Sequence, residues 1–126
     1  MFVAQIRETI CIAHRVLSAD GKLGPLHGHN WTIEVSLGAE SLDERGLVGD
    51  APALRRALHE VVDSIDHRTL DDLPAFLEPS SRTAPAFAHW VAQRLGPELP
   101  SGLALVSVRV VDGTGAVVSW APRGVQ

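Results

Sequence analysis

The stretch Leu26–Gly38, LHGHNWTIEVSLG, holds both the clearest strand signal in the chain and its most informative pair of histidines. From His29 to Leu37 the apolar residues alternate with polar ones, which indicates a strand with one buried face. Side chains two residues apart in a strand point to the same side of the sheet. His27 and His29 can therefore reach one point in space from one side.

A second alternating segment, residues 2–14, ends in a third histidine, His14, which has the parity of the apolar residues before it. If the two strands pair, His14 meets His27 and His29. Three neutral imidazoles on one ion leave a fourth position open for water or substrate, an arrangement typical of catalytic zinc. Two alternatives stay open: such histidines also occur as exposed or packing residues, and three imidazoles also bind iron or nickel.

Composition bounds the class of protein. A length of 126 residues predicts one domain spanning residues 1–126. The net charge of -4 and pI near 5.8 argue against a nucleic-acid or anionic-membrane partner. Neither an apolar run of about 20 residues nor a signal-peptide pattern is present, so we expect a cytoplasmic protein with no membrane contact. The single cysteine, Cys11, allows no internal disulfide, and the small core favours a homo-oligomer.

Two helices are predicted in the middle of the chain. Asp50, followed by Pro52, is a helix start signal, and apolar residues recur at helical spacing as far as Ile65. Thr83 is the predicted N-cap of the second helix, which Gly96-Pro97 ends.

Two further strands, residues 103–111 and 116–121, are predicted around the turn sequence of residues 112–115. Strands and helices are thus segregated along the chain. This order favours an α+β fold in which two helices are inserted between the second and third strands of a four-stranded antiparallel sheet.

Four short segments carry a family resemblance: IAHR at 12–15, LHGHNW at 26–31, GLVGD at 46–50 and IDHRTL at 65–70. In order and spacing they resemble the 6-pyruvoyl-tetrahydropterin synthase and 6-carboxy-tetrahydropterin synthase family. The resemblance implies the tunnelling fold, in which trimers close a barrel and often pair into hexamers, with active sites between subunits. It also implies a zinc ion on His14, His27 and His29, and a small-molecule substrate.

The chain departs from the family pattern at positions that matter for chemistry. The family's cysteine, four residues before its His-Gly-His pair, is replaced by Leu23, and its pterin-anchoring glutamate matches Val110. Asp112 shares the parity of Val110 and is the candidate substitute for that anchor. The second helix opens with residues 82–85, RTAP, without the family's glutamate. These departures predict a retained metal site with altered chemistry.

His67 is the predicted proton carrier, because an ordinary imidazole titrates near ~6.5 and no cysteine remains near the metal motif. Asp66 would orient the His67 ring. The alternative is that both residues only end the helix, where a cation complements the helix dipole. Trp31 has two interpretations, core packing or a wall that stacks on a flat substrate.

Three functions follow from these residues. The first is a zinc enzyme of this superfamily with altered lyase, aldol-type or cyclising chemistry on a small oxygen-rich substrate. The second is an orthodox synthase acting on dihydroneopterin triphosphate. The third is a non-catalytic, zinc-stabilised oligomer, against which the intact Asp66-His67 pair argues.

Overall fold

The computed structural model describes residues 1–123, and its elements follow the predicted order. The strands are β1 (Phe2–His14), β2 (His27–Ala39), β3 (Arg68–Thr69), β4 (Ala104–Val111) and β5 (Val117–Trp120). The helices are α1 (Ala51–Asp63) and α2 (Ala84–Leu95), and short 3-10 turns connect β3 to α2. No helix among these residues has the length and apolar character needed to span a membrane.

The sheet has five strands in the order β3-β1-β2-β4-β5. The predicted α+β class is confirmed, as is the antiparallel pairing of β1, β2, β4 and β5. The predicted count of four strands is one too few, because Arg68–Thr69 pairs in parallel with Ile12 and Ala13 at the end of β1. Two residues are too few to show the alternation by which a strand is recognised in a sequence.

The second strand starts two residues earlier than the predicted 29–38 region. His27 and Gly28, which precede the alternating residues, continue the ladder as partners of His14 and Ala13. Both predicted N-caps are confirmed. The side chain of Asp50 accepts a hydrogen bond from the backbone N–H of Ala53 at 3.2 Å, and that of Thr83 accepts one from Ala86 at 3.3 Å.

The two faces of the sheet differ in character. One packs against both helices around a core that includes Ile33, Val35, Leu58 and Phe87, all with no exposed surface. The other face is polar: Glu34 on β2 lies between Arg7 on β1 and Arg109 on β4, at 3.1 and 3.3 Å. The alternation of β1 and β2 therefore places their histidines on the helix-covered side.

Candidate active site

The three predicted metal ligands come together at one end of the β1–β2 ladder. His14 is the last residue of β1 and lies opposite His27, the first residue of β2, while His29 lies opposite Ile12. One ligand atom of each ring lies within 4.8 Å of those of the other two. His14 is buried and His29 is half-buried. The antiparallel register thus converts two separate sequence motifs into one cluster.

Hydrogen bonds fix which ring nitrogen of His14 and of His27 faces the cluster. His14 donates from Nδ1 to the carbonyl of Arg82 at 2.7 Å, and His27 donates from Nδ1 to the carbonyl of Pro25 at 3.0 Å. A carbonyl oxygen can only accept, so both Nδ1 atoms carry hydrogen and, in the neutral rings, both Nε2 atoms are lone-pair acceptors. These two Nε2 atoms are 3.1 Å apart. Two facing lone pairs repel unless a cation lies beside them, so this donor set fits a metal ion.

Electrostatics also favours a neutral His14 ring that can bind a metal. Burial lowers the pKa of His14 below its usual 6.5, and the neighbouring His27 and His29 lower it further, although the hydrogen bond to Arg82 opposes them. A lowered histidine pKa keeps His14 unprotonated at neutral pH. The ring can then bind a metal without first losing a proton.

Trp31 lies under the cluster. Its ring centroid is 5.4 Å from that of His14, 6.0 Å from that of His29 and 5.2 Å from that of Phe87. Only 1% of the surface of Trp31 is exposed, so neither face of the indole is open to a substrate in this chain. This position fits the interpretation of Trp31 as a core-packing residue. The indole Nε1–H has no protein hydrogen-bond partner among the described residues.

Asp66 and His67 form a hydrogen-bonded pair beyond the end of α1. His67 Nδ1 lies 2.9 Å from Asp66 Oδ1, and 79% of the His67 side chain is exposed. The backbone of Cys11 anchors both residues: its N–H donates to Asp66 Oδ1 at 2.8 Å, and its carbonyl accepts from the N–H of His67 at 2.6 Å. The Cys11 N–H is the main reason that the pKa of Asp66 lies below 3.8, and His67 adds to the effect.

The backbone of His67 is left-handed, with φ of 61°, and no other non-glycine residue in the described part of the chain has a positive φ. This conformation is unfavourable for a residue with a Cβ atom, by roughly 1–2 kcal/mol. Here the hydrogen bonds to the Cys11 backbone hold the strained conformation in place. Strained backbone conformations of this kind cluster at functional sites. The sequence around residue 67 contains no pattern that predicts this left-handed backbone conformation.

The structure does not join the Asp66-His67 pair to the histidine cluster within one chain. Both are attached to β1, but no hydrogen bond or ion pair between described residues connects His67 to His14, His27 or His29. The exposed His67 ring and the cluster are therefore two separate groups within the described part of the chain.

The positions that replace the family's cysteine and glutamate have different environments. Leu23 lies in the loop between β1 and β2 with about half its surface exposed (48%), whereas Val110 is buried in the core at 1%.

Asp112, the candidate substitute for the anchor, follows β4 and accepts hydrogen bonds from the N–H and hydroxyl of Thr114. These bonds are the main cause of its lowered pKa, to which His29 contributes weakly. Arg15 and Lys22, which could attract a phosphate or simply be solvated, are exposed.

Arg82 is the residue near the cluster that the sequence reasoning missed. Arg82 is buried, with 6% of its surface exposed, and its carbonyl accepts the His14 Nδ1 hydrogen bond. A lone arginine in a polar stretch carries no sequence signal for burial.

The fold and the cluster together define a small α+β protein with a three-histidine candidate metal centre. A family model described as 6-pyruvoyl tetrahydropterin synthase matches residues 4–122, and the chain belongs to that family. Among solved structures, the Caenorhabditis elegans 6-pyruvoyl tetrahydropterin synthase superposes with a TM-score of 0.79 at 23% identity, over 95% of this chain and 94% of that one.

Two curated relatives show the range of names in the family. A putative 6-pyruvoyl tetrahydrobiopterin synthase of Caenorhabditis elegans is 29% identical over 86 residues, 68% of this chain and 61% of the relative. A dihydroneopterin monophosphate aldolase of Pyrococcus furiosus is 28% identical over 97 residues, 75% of this chain and 79% of the relative. Family members thus include both lyase-type synthases and an aldolase in pterin metabolism.

Proposed function

We propose that the chain is a zinc-dependent enzyme of this family with altered chemistry, performing aldol-type or lyase proton-transfer steps on a small oxygen-rich substrate. The observation that carries the proposal is the pair of facing Nε2 atoms of His14 and His27, 3.1 Å apart, with His29 beside them. Bound there, zinc would polarise substrate oxygens and acidify the neighbouring C–H or O–H groups.

In this proposal the proton is moved by His67. Its exposed Nε2 is the atom that would meet substrate, because Nδ1 is held by Asp66 at 2.9 Å. Asp66 stays ionised at neutral pH and stabilises the imidazolium that forms when His67 takes up a proton. His14, His27 and His29 would hold the metal, and the Nε2 atoms of His14 and His27 are left free for it because both Nδ1 atoms donate to carbonyls.

Leu23 is the argument for altered chemistry. A leucine side chain cannot form a thiolate or take up a proton, so the role of the family's cysteine is absent at this position. Val110 cannot accept a hydrogen bond from a pterin ring either, and its burial keeps it from the site. The similarity to an aldolase supports a carbon–carbon cleavage on this scaffold. The second candidate, an orthodox synthase, is favoured by the family match alone.

The substrate assay separates these candidates. We expect zinc-loaded protein to convert dihydroneopterin triphosphate to 6-carboxy- or 6-pyruvoyl-tetrahydropterin negligibly, because the thiol is missing. We expect it instead to shorten the side chain of dihydroneopterin monophosphate, giving a new pterin product by chromatography. Synthase turnover in the range of ordinary enzymes, ~1–10³ per second, would contradict the altered-chemistry proposal and establish the orthodox one.

We further propose that the chain assembles as a trimer-based oligomer, with a hexamer as the expected form. β3 pairs with only two residues of β1, so the outer edge of β1 before Ile12 has no partner among the described strands, and β5 is open on its far side. Open edges of one sheet can pair with those of the next copy and close a ring. Sedimentation equilibrium at micromolar concentration tests this. A stable monomer would contradict it.

A further inference from the structure

We propose that Arg82 and Asp71 are positioning residues that fix the orientation of His14 in the metal centre. This inference rests on the proposed metal site. It concerns the ion pair between the buried Arg82 and the half-buried Asp71, in the segment between β3 and α2.

The side chain of Arg82 is almost fully paired in spite of its burial. Its guanidinium group donates to the carbonyls of Phe76 and Leu77 at 2.7 and 2.8 Å, and to Asp71 Oδ2 at 3.1 Å. A buried arginine is costly unless its donors are satisfied, so these acceptors make one position of Arg82 strongly preferred. Asp71, Phe76 and Leu77, all in the segment between β3 and α2, thus accept hydrogen bonds from one guanidinium group.

The same ion pair also holds the end of β1. Asp71 Oδ1 accepts a hydrogen bond from the backbone N–H of Arg15 at 3.0 Å, and Arg82 donates to the Arg15 carbonyl at 3.4 Å. The carbonyl of Arg82 accepts from His14 Nδ1 at 2.7 Å. The pair therefore fixes both the backbone after His14 and the acceptor that orients its ring.

The Arg82 carbonyl determines the tautomer and the orientation of the His14 ring. While the Arg82 carbonyl receives Nδ1–H, the ring keeps its lone pair on Nε2, directed at the cluster. If the carbonyl moves, the ring is free to rotate or to change tautomer. Loss of such a supporting contact typically lowers metal affinity by about 10–100-fold.

Glu34 offers a matched control for burial of charge. It is also buried, at 8%, and paired with two arginines, but it lies on the polar face of the sheet and contacts none of the three histidines. Removing its charge should destabilise the fold without altering the metal centre. The Glu34 variant thus shows how far the loss of an ion pair lowers zinc affinity in general. A larger loss in the Arg82 and Asp71 variants can then be attributed to His14.

The test is a chelator competition that measures zinc affinity, together with the visible spectrum of the cobalt(II)-substituted protein, for wild type, Arg82→Met, Asp71→Asn and Glu34→Gln. We expect zinc affinity to fall about 10–100-fold in Arg82→Met and in the same direction in Asp71→Asn. Both should show an altered cobalt spectrum, whereas Glu34→Gln should keep the wild-type affinity and spectrum. Asp71→Asn is the milder change, because asparagine preserves the side-chain shape of aspartate. It provides the test if Arg82→Met fails to fold.

Wild-type affinity and spectrum in the folded Arg82 or Asp71 variant would overturn the inference while leaving the proposed metal site intact. An equal loss of affinity in Glu34→Gln would also overturn it, since the effect would then be general. A wild-type protein that binds neither zinc nor cobalt would instead overturn the proposed function.

Discussion

Replacing His67 with alanine should lower turnover by about 10²–10⁴-fold, the usual contribution of a positioned general acid or base, while zinc content and oligomeric state stay unchanged. The ring is exposed and oriented by Asp66, and it makes no contact that holds the core. Asp66→Asn should lose somewhat less, because the imidazole remains but its charged partner is gone. Steady-state kinetics with zinc-loaded protein measures both effects.

His67→Gly is the sharper companion to the alanine variant. Glycine removes the same ring but also relieves the left-handed backbone at φ of 61°, which L-residues adopt at a cost. The glycine variant should therefore be as inactive as the alanine variant, yet more resistant to urea. Such opposite effects on rate and stability would show that the chain retains strain at this position for activity.

The pH profile provides a separate check on the same residue. Because the pKa of Asp66 is lowered below 3.8, its carboxylate is ionised throughout the range from about pH 5 to 8. The Asp66 carboxylate loses its charge only as the pH falls through that lowered pKa. If His67 is the general acid or base, the pH dependence of the rate should differ between wild type and His67→Ala. If His67→Ala and Asp66→Asn keep full activity, the two residues only end the helix.

Replacing His29 with alanine should abolish stoichiometric zinc binding, and activity with it. Two imidazoles would remain, and a catalytic zinc site is normally held by three protein ligands. His59→Ala is the matched control. This histidine lies on α1 near Glu8 and Asp63, outside the cluster. Elemental analysis after gel filtration should give one zinc per subunit in wild type and His59→Ala. Equal zinc in wild type and His29→Ala would contradict the ligand assignment.

Alternation and capping residues predicted most of the fold. The period of two in residues 2–14 and 29–38 reflects a sheet with only one face in the core, and this pattern is local. Asp50 and Thr83 mark helix starts because each satisfies a backbone N–H within three residues. The convergence of His14 with His27 depended on one further condition, the antiparallel pairing of β1 with β2, which the parity of the histidines does not by itself determine.

The features that were missed depend on contacts between distant segments. β3 exists because Arg68 and Thr69 meet β1, and two residues contain no periodic signal. The left-handed backbone of His67 follows from its hydrogen bond to Cys11, far away in sequence. Arg82 is buried because three carbonyls and a carboxylate converge on it only after the chain folds. None of these is encoded by residue type at a fixed spacing.

X-ray absorption at the zinc edge of the purified protein tests the central claim most directly, because it reports the atoms bound to the metal. A centre built on His14, His27 and His29 predicts three imidazole nitrogens at ~2.0–2.1 Å and one further light atom from water or substrate. A sulfur scatterer at ~2.3 Å would implicate Cys11 and contradict the three-histidine centre. So would a shell made only of oxygen atoms, without the multiple-scattering pattern of imidazole.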